Sequence, residues 1–163
     1  MLFQITLILA TILCSLVAGF LFAFAVVVMP GIRGLDDRAF IRAFQAMDGV
    51  IQKNQPLFML VWVGSILTLI ASAVLGFGRL DGVGRLLIVS AVLVYLFGVQ
   101  LPTAAINVPL NNKLQDVNVA AADQAIARTA RGDFEPRWNR WNSIRTVFAG
   151  IVSALLVILL LRL

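Results

Sequence analysis

Four stretches of the chain stay apolar for about the length of a bilayer crossing, and the polar residues collect between them. A hydrocarbon core of about 30 Å takes roughly 20 helical residues, so each stretch predicts one membrane-spanning helix. The first runs from about Ile5 to Met29 and is closed by Pro30, Gly31 and Arg33. It is too long for the apolar core of a signal peptide and has no Lys or Arg before it, which predicts a retained span. Pro56 opens the second, which covers about 57–75 and is released by Gly76 and Gly78. The third covers about 86–106 with Pro102 inside it, where a lost helix hydrogen bond predicts a bend. The last apolar run covers about 144–161 and is expected to belong to a helix that begins at Pro136, a residue favoured in the first helical turn.

The short link carrying Arg79, Asp81 and Arg85 permits only a tight antiparallel return. The expected fold is therefore an all-α, antiparallel four-helix transmembrane bundle in a single domain, 1–163, with two longer loops on one side. Those loops are Gly31 to Gln55 and Asn107 to Glu135, each long enough for a short helix. In the first, Phe40, Ile41, Phe44 and Met47 recur at helical spacing, with Arg38, Arg42 and Asp48 between them. That pattern predicts an interfacial amphipathic helix packed on the bundle, in preference to a substrate lid. Small residues at Ser15, Gly19 and Ala23 and at Gly64, Thr68 and Ser72 mark stripes where helices in lipid are expected to approach closely.

Composition sharpens this picture: 61% of residues are hydrophobic and 13% charged, far from the balance of a soluble domain. The net charge of +5 comes from cations interleaved with acids between apolar runs, which points to a membrane surface and not to nucleic acid. Ten of the thirteen Lys and Arg residues fall on the side of the long loops. The positive-inside rule then places those loops in the cytoplasm of a multi-pass plasma-membrane protein. Cys14 stands alone, so no internal disulfide can form, and histidine is absent. Without imidazole, a metal or haem centre is not expected, and a Ser-His-Asp arrangement cannot be assembled. Every acidic residue lies outside the apolar spans, which argues against a transporter coupled through charges at the midplane.

Two constellations could carry chemistry. Asn107 and Asn111 stand four apart at the exit of the third span, so their amides share a face if the helix persists. They could hold a substrate oxygen or merely cap a helix end. Trp138, Trp141, Asn142 and Arg145 follow i, i+3, i+4, i+7 spacing at the entrance of the fourth helix. Two indoles could stack a flat ligand while Arg145 and Asn142 hold an oxyanion. The same residues also suit an interfacial anchor belt.

The pairing of N-x-P-L-N, Asn107 to Asn111, with W-x-x-W-N-x-x-R-T, Trp138 to Thr146, resembles the anthrone oxygenase family. The likeness extends to Phe24–Pro30 and Asn54–Met59. It implies a four-span protein whose relatives include oxidisers of tricyclic anthrones to anthraquinones, using dioxygen and no evident cofactor. The resemblance makes Arg145, Asn142, Asn107 and Asn111 the expected catalytic residues and Trp138 and Trp141 the expected substrate-binding pair. Two positions depart from the family's usual pattern. Ser143 stands where relatives often carry a histidine that could serve as a base, and Gln52 follows Ile51 where an Ile-Asn pair is common. Asp48 and Asp116 are the acids nearest in sequence to take a base's place. The competing class is a non-enzymatic membrane protein holding a lipid, a quinone or a partner helix at the Trp/Asn/Arg face. The expected partners are the lipid bilayer and a hydrophobic small molecule, with homo-oligomerisation compatible with either class.

Overall fold

A computed structural model describes all residues, 1–163, and contains four helices long and apolar enough to cross a membrane. They are α1 (Leu2–Arg33), α3 (Pro56–Gly76), α4 (Gly82–Gln115) and α5 (Gln124–Leu161), with a shorter helix, α2 (Asp37–Gln52), between the first two. There are no strands; the protein is an all-α membrane bundle. α1 packs along α3 and α5, and α4 packs along α5 and α3, closing the four-helix arrangement.

Local chemistry sets most of the helix ends. Asp36, Asp81 and Asp123 accept hydrogen bonds from the backbone N–H groups of Ala39, Gly84 and Ile126, and the Gln55 side chain does the same for Phe58. Each satisfies a donor that the first helical turn leaves free. Between α2 and α3 the chain reverses through Asn54 at φ 57°, a left-handed conformation that asparagine tolerates better than most side chains.

The helices on the long-loop side extend much further than the apolar pattern alone indicates. α5 begins at Gln124 rather than at Pro136, which sits inside it. Asp123 supplies the cap, and the Ala-rich segment from Ala125 to Ala130 supplies helix propensity. Pro136 removes the hydrogen bond to the carbonyl of Gly132, an exposed residue whose carbonyl water can satisfy. Likewise α4 continues to Gln115, so the expected loop 107–135 shrinks to a short connection after Gln115. At 1.5 Å per residue, the 38 residues of α5 reach roughly 57 Å, well beyond the hydrocarbon.

Three segments are π-helical: Phe24–Val28 in α1, and Val94–Gln100 and Thr103–Asn107 in α4. Each ends two residues before a proline, namely Pro30, Pro102 and Pro109. A proline ring clashes with the carbonyl four residues back and supplies no N–H, and a widened turn relieves both problems. Pro102, expected to bend its helix, is thus accommodated between two π segments.

Two apolar clusters fill the bundle. One joins Phe3, Leu7, Val17, Ile88, Val152 and Leu156 among others along the spans. The second gathers Phe40, Ile41, Phe44, Phe134 and Trp138 where α2 lies against the extended ends of α4 and α5. The two connections are bound to one another, which puts them on one side. Gln45 Nε2 donates to the carbonyls of Leu114 and Val117 at 2.8 and 3.0 Å, and Arg38 donates to the Ala122 carbonyl. Arg131 reaches across to the carbonyls of Arg33 and Leu35 at 2.7 and 2.8 Å, pairs with Glu135 and Asp37, and lies 4.3 Å from the Phe40 ring centroid.

The amphipathic pattern of α2 needs one correction. Phe40, Ile41 and Phe44 are buried as expected, but the fourth fully buried side chain is Asp48, and Met47 is only half-buried. Asp48 follows Phe44 by four residues and Phe40 by eight, so it belongs to the inward stripe. The small-residue stripes divide. Ser72 is buried and Gly64 lies against Leu13, whereas Ser15 and Gly19 face outward. α1 turns its Leu7, Cys14, Val17 and Leu21 face into the bundle instead.

Candidate functional site

Where the two clusters meet, the helices leave a cavity of about 220 Å³. Its wall is aromatic, with Phe20, Phe24, Phe44, Phe58, Trp62 and Trp138 contributing rings from four helices. Phe58 stacks on Trp62 with centroids 5.4 Å apart, and Trp138 packs edge-on against Phe44 at 5.5 Å. Pockets for drug-sized ligands span roughly 300 to 1,000 Å³, so this one suits a compact ligand.

Polar groups enter the cavity in two sets. In the first, Arg145 Nη1 donates to Thr103 Oγ1 at 2.9 Å and Nη2 to Asn142 Oδ1 at 3.0 Å. Asn142 Nδ2 in turn donates to the Leu21 carbonyl at 3.1 Å, and Leu21 lies just ahead of the π segment in α1. Arg145 is 4% exposed, has no ion-pair partner, and its Nε makes no hydrogen bond. Its guanidinium carbon lies 5.9 Å from the Trp138 ring centroid. A buried cation held only by a hydroxyl, an amide and a ring is costly.

The second set runs from the other edge of Trp138. The indole Nε1 donates to Asn111 Oδ1, and Asn111 Nδ2 donates to Asp48 Oδ1, both at 2.7 Å. Gln52 and Gln115 donate to Asp48 Oδ2 at 2.7 and 2.9 Å. Asn107 stands between the two sets. Its Nδ2 donates weakly to the Trp138 carbonyl at 3.4 Å, and its Oδ1 is buried without a partner.

Asn107, Asn111, Trp138, Asn142 and Arg145 thus border one cavity, and Trp141 does not. On a helical wheel Trp141 lies about 60° from Trp138, away from Asn142. That rotation takes its indole off the cavity wall, so the expected sandwich between two indoles does not form; Phe44 and Phe24 flank Trp138 instead. Ser143 is exposed and lines a separate groove with Arg33, Glu135 and Asn139. Position 143 therefore contributes nothing to the lining of this cavity. Of the two acids considered as bases, Asp116 is exposed and away from the cavity, whereas Asp48 borders it. No three Cys, Asp or Glu side chains converge into a metal-ligand set.

Sequence reasoning missed Thr103 and the ring wall from α1 and α3, and it noted Gln52 only as a departure from the resemblance, not as a partner of Asp48. Thr103 was legible in principle, because Thr103, Asn107 and Asn111 repeat every four residues toward the end of an otherwise apolar helix. Phe20, Phe58 and Trp62 carried no such signal, since aromatic residues in a span usually do no more than pack.

A four-span membrane bundle with one polar and aromatic cavity at its extended end is the class that fold and site define. The chain belongs to the anthrone oxygenase family, whose model matches residues 53–155 of the 163. The matched region contains all six residues proposed from the two motifs; α1 and all of α2 precede it, so the likeness at Phe24–Pro30 lies outside. No curated protein and no solved structure matches the chain.

Proposed function

We propose that this protein is a membrane-embedded, cofactor-independent oxygenase acting on a flat aromatic or polyphenolic small molecule of the anthrone type. The observation that carries the reading is Arg145, a buried guanidinium without a counter-charge beside an aromatic wall. Such a group stabilises negative charge that develops on a bound oxygen, and removing a donor of this kind typically lowers kcat about 10² to 10³-fold. A phenolic ketone bound along Trp138 and Phe44 places its oxygen toward Arg145 and Asn142, with Asn107 and Asn111 orienting its hydroxyl groups. Loss of a proton from the acidic carbon then gives an enolate electron-rich enough to reduce dioxygen. The protein's part is to bind the substrate and stabilise charge.

The test is oxygen uptake and quinone formation by detergent-purified protein given an anthrone, compared with Arg145→Lys. An ammonium lacks the planar fork that serves Thr103, Asn142 and a ligand together, so turnover in the variant is expected to fall by about tenfold or more. Tight binding of a quinone or lipid with no oxygen uptake would transfer the site to the holding role instead. For topology, we propose that α2 and the extended helix ends face the cytoplasm of the plasma membrane, on the side with ten of the thirteen basic residues. Cys14 is buried, so single cysteines introduced at exposed Arg42 or Arg128 can report orientation through membrane-impermeant labelling of intact cells. Labelling from outside would reverse the assignment.

A further inference from the structure

We infer that Asp48 is the general base of this site, accepting the proton from the substrate's acidic carbon; the inference rests on the oxygenase reading. Asp48 is 4% exposed and borders the same cavity as Arg145. Its carboxylate is held by three neutral amides, from Asn111, Gln52 and Gln115, and by no cation. Oδ2 accepts two of those hydrogen bonds and Oδ1 only one, which leaves Oδ1 a lone pair for a proton. Asp48 and Arg145 are the cavity's only ionisable side chains, and Arg145 is the cation.

The two charges are buried on one cavity yet do not pair. Trp138 stands between them, with its N–H joined to Asp48 through Asn111 and its ring facing Arg145. Two opposite charges that leave water without meeting are expensive, and a ligand spanning the gap recovers that cost. A carbon acid fits: the C–H bond breaks, the proton passes to Asp48, and the electron pair delocalises to an oxygen beside Arg145. The enolate then gives one electron to dioxygen, and the radical and superoxide combine into a peroxide anion. Asp48 returns its proton to that anion; the second C–H bond of the same carbon then breaks, its electron pair forms the C=O bond as the O–O bond cleaves, and the released proton and hydroxide leave as water. One dioxygen is consumed and one water released, and the carboxylate is regenerated.

Anaerobic hydrogen–deuterium exchange at the acidic carbon isolates the first step. With anthrone as the probe in deuterated buffer, the wild-type protein should catalyse exchange, and Asp48→Asn should lose about 100-fold or more in rate. Probe binding, followed by tryptophan fluorescence, should change less than about threefold, a separation that a purely structural role for Asp48 would not give. Exchange in Asp48→Asn equal to wild type, with wild-type oxygen uptake intact, overturns the assignment and leaves the oxygenase reading standing. Wild-type protein that binds anthrone but neither exchanges nor takes up oxygen overturns both. Should Asp48→Asn fail to fold, infrared difference spectra of the wild-type protein decide. A protonated-carboxyl band sensitive to deuterium must appear as the enolate forms without oxygen, and enolate formed without that band overturns the proposal.

Discussion

Along the spans, around Leu7, Ile88 and Leu156, buried hydroxyl groups mostly bond back to their own helix. Thr11 donates to the Leu7 carbonyl, Thr68 to Gly64 and Ser72 to Thr68. Around Phe44 and Trp138 the polar side chains instead reach between helices: Trp138 to Asn111, Asn111 to Asp48, Arg145 to Thr103. In lipid a polar group must find a partner within the protein, and the nearest carbonyl of the same helix is the cheapest. Interhelical bonds make each side chain's position depend on another helix, which a merely stable bundle does not require. The first region is built to stay closed, and the second holds groups in place around a space.

The largest expected effect that tests this contrast is in the closed region. A Cβ added to Gly98 would lie 2.6 Å from Phe148 Cγ, so Gly98→Ala should destabilise the bundle by about 1–3 kcal/mol. Thermal unfolding in detergent would register it, and ligand affinity measured well below the midpoint should stay unchanged. Trp138→Phe keeps a ring on the cavity wall but deletes the donor to Asn111. It should weaken ligand binding up to about tenfold, the equivalent of a neutral hydrogen bond, with a smaller effect on unfolding. If its cost fell entirely on stability, the contrast would fail. In the closed region, Ser65 and Tyr95 form the one hydroxyl pair that bridges helices, at 2.6 Å. Tyr95→Phe should cost about 1 kcal/mol of stability and leave the ligand site untouched. Trp141→Phe should leave ligand-dependent fluorescence quenching in place, because Trp141 does not line the cavity.

The smallest effect lies at the tight turn, outside both regions. The Gly84 N–H bond to Asp81, followed by the charge of Arg162, holds the Asp81 carboxyl below its ordinary pKa. A depressed folded-state pKa means the native protein binds fewer protons than the unfolded chain in acid. The stabilisation is therefore complete above the unfolded value of about 3.9. It is lost as pH falls through the lower native value. Amide exchange at Gly84 should accelerate in that window, and in Asp81→Asn should no longer depend on Asp81's titration.

The bundle was legible because four long apolar runs carry a strong period-independent signal, and the turn at Asp81 allows one geometry. The ends of α4 and α5 were not, since the apolar run of the third span stops near residue 106 and Pro136 read as a helix start when only local sequence is weighed. A π segment lets α4 continue past Pro109, and a solvated Gly132 lets α5 continue past Pro136. At the site, four-residue spacing put Asn142 beside Trp138, and the three-residue spacing of Trp141 already turned it to the other side of Trp138; which side meets the cavity depends on the neighbouring helices, and the sequence did not show that. Asp48 was named beside Asp116 as an acid that could serve as a base, but its four- and eight-residue spacing from Phe44 and Phe40, which marks it as inward, was not used to choose between them.

Each π segment also sets the angular phase of its helix. A widened turn holds one residue more than an α turn, so everything beyond it is displaced by about 100° relative to an unbroken α wheel. α4 carries two such displacements before Asn111. Deleting one residue within Thr103–Asn107, with Pro109→Ala to restore the hydrogen bond, would let the helix run as plain α while keeping Asn111 at its present angle. Replacing Pro109 alone invites the opposite outcome: if the turn tightens, Asn111 swings off the cavity and takes the link to Asp48 with it. Pro30, Pro102 and Pro109 thus work as phase settings, and their removal would detune the site without unfolding a helix.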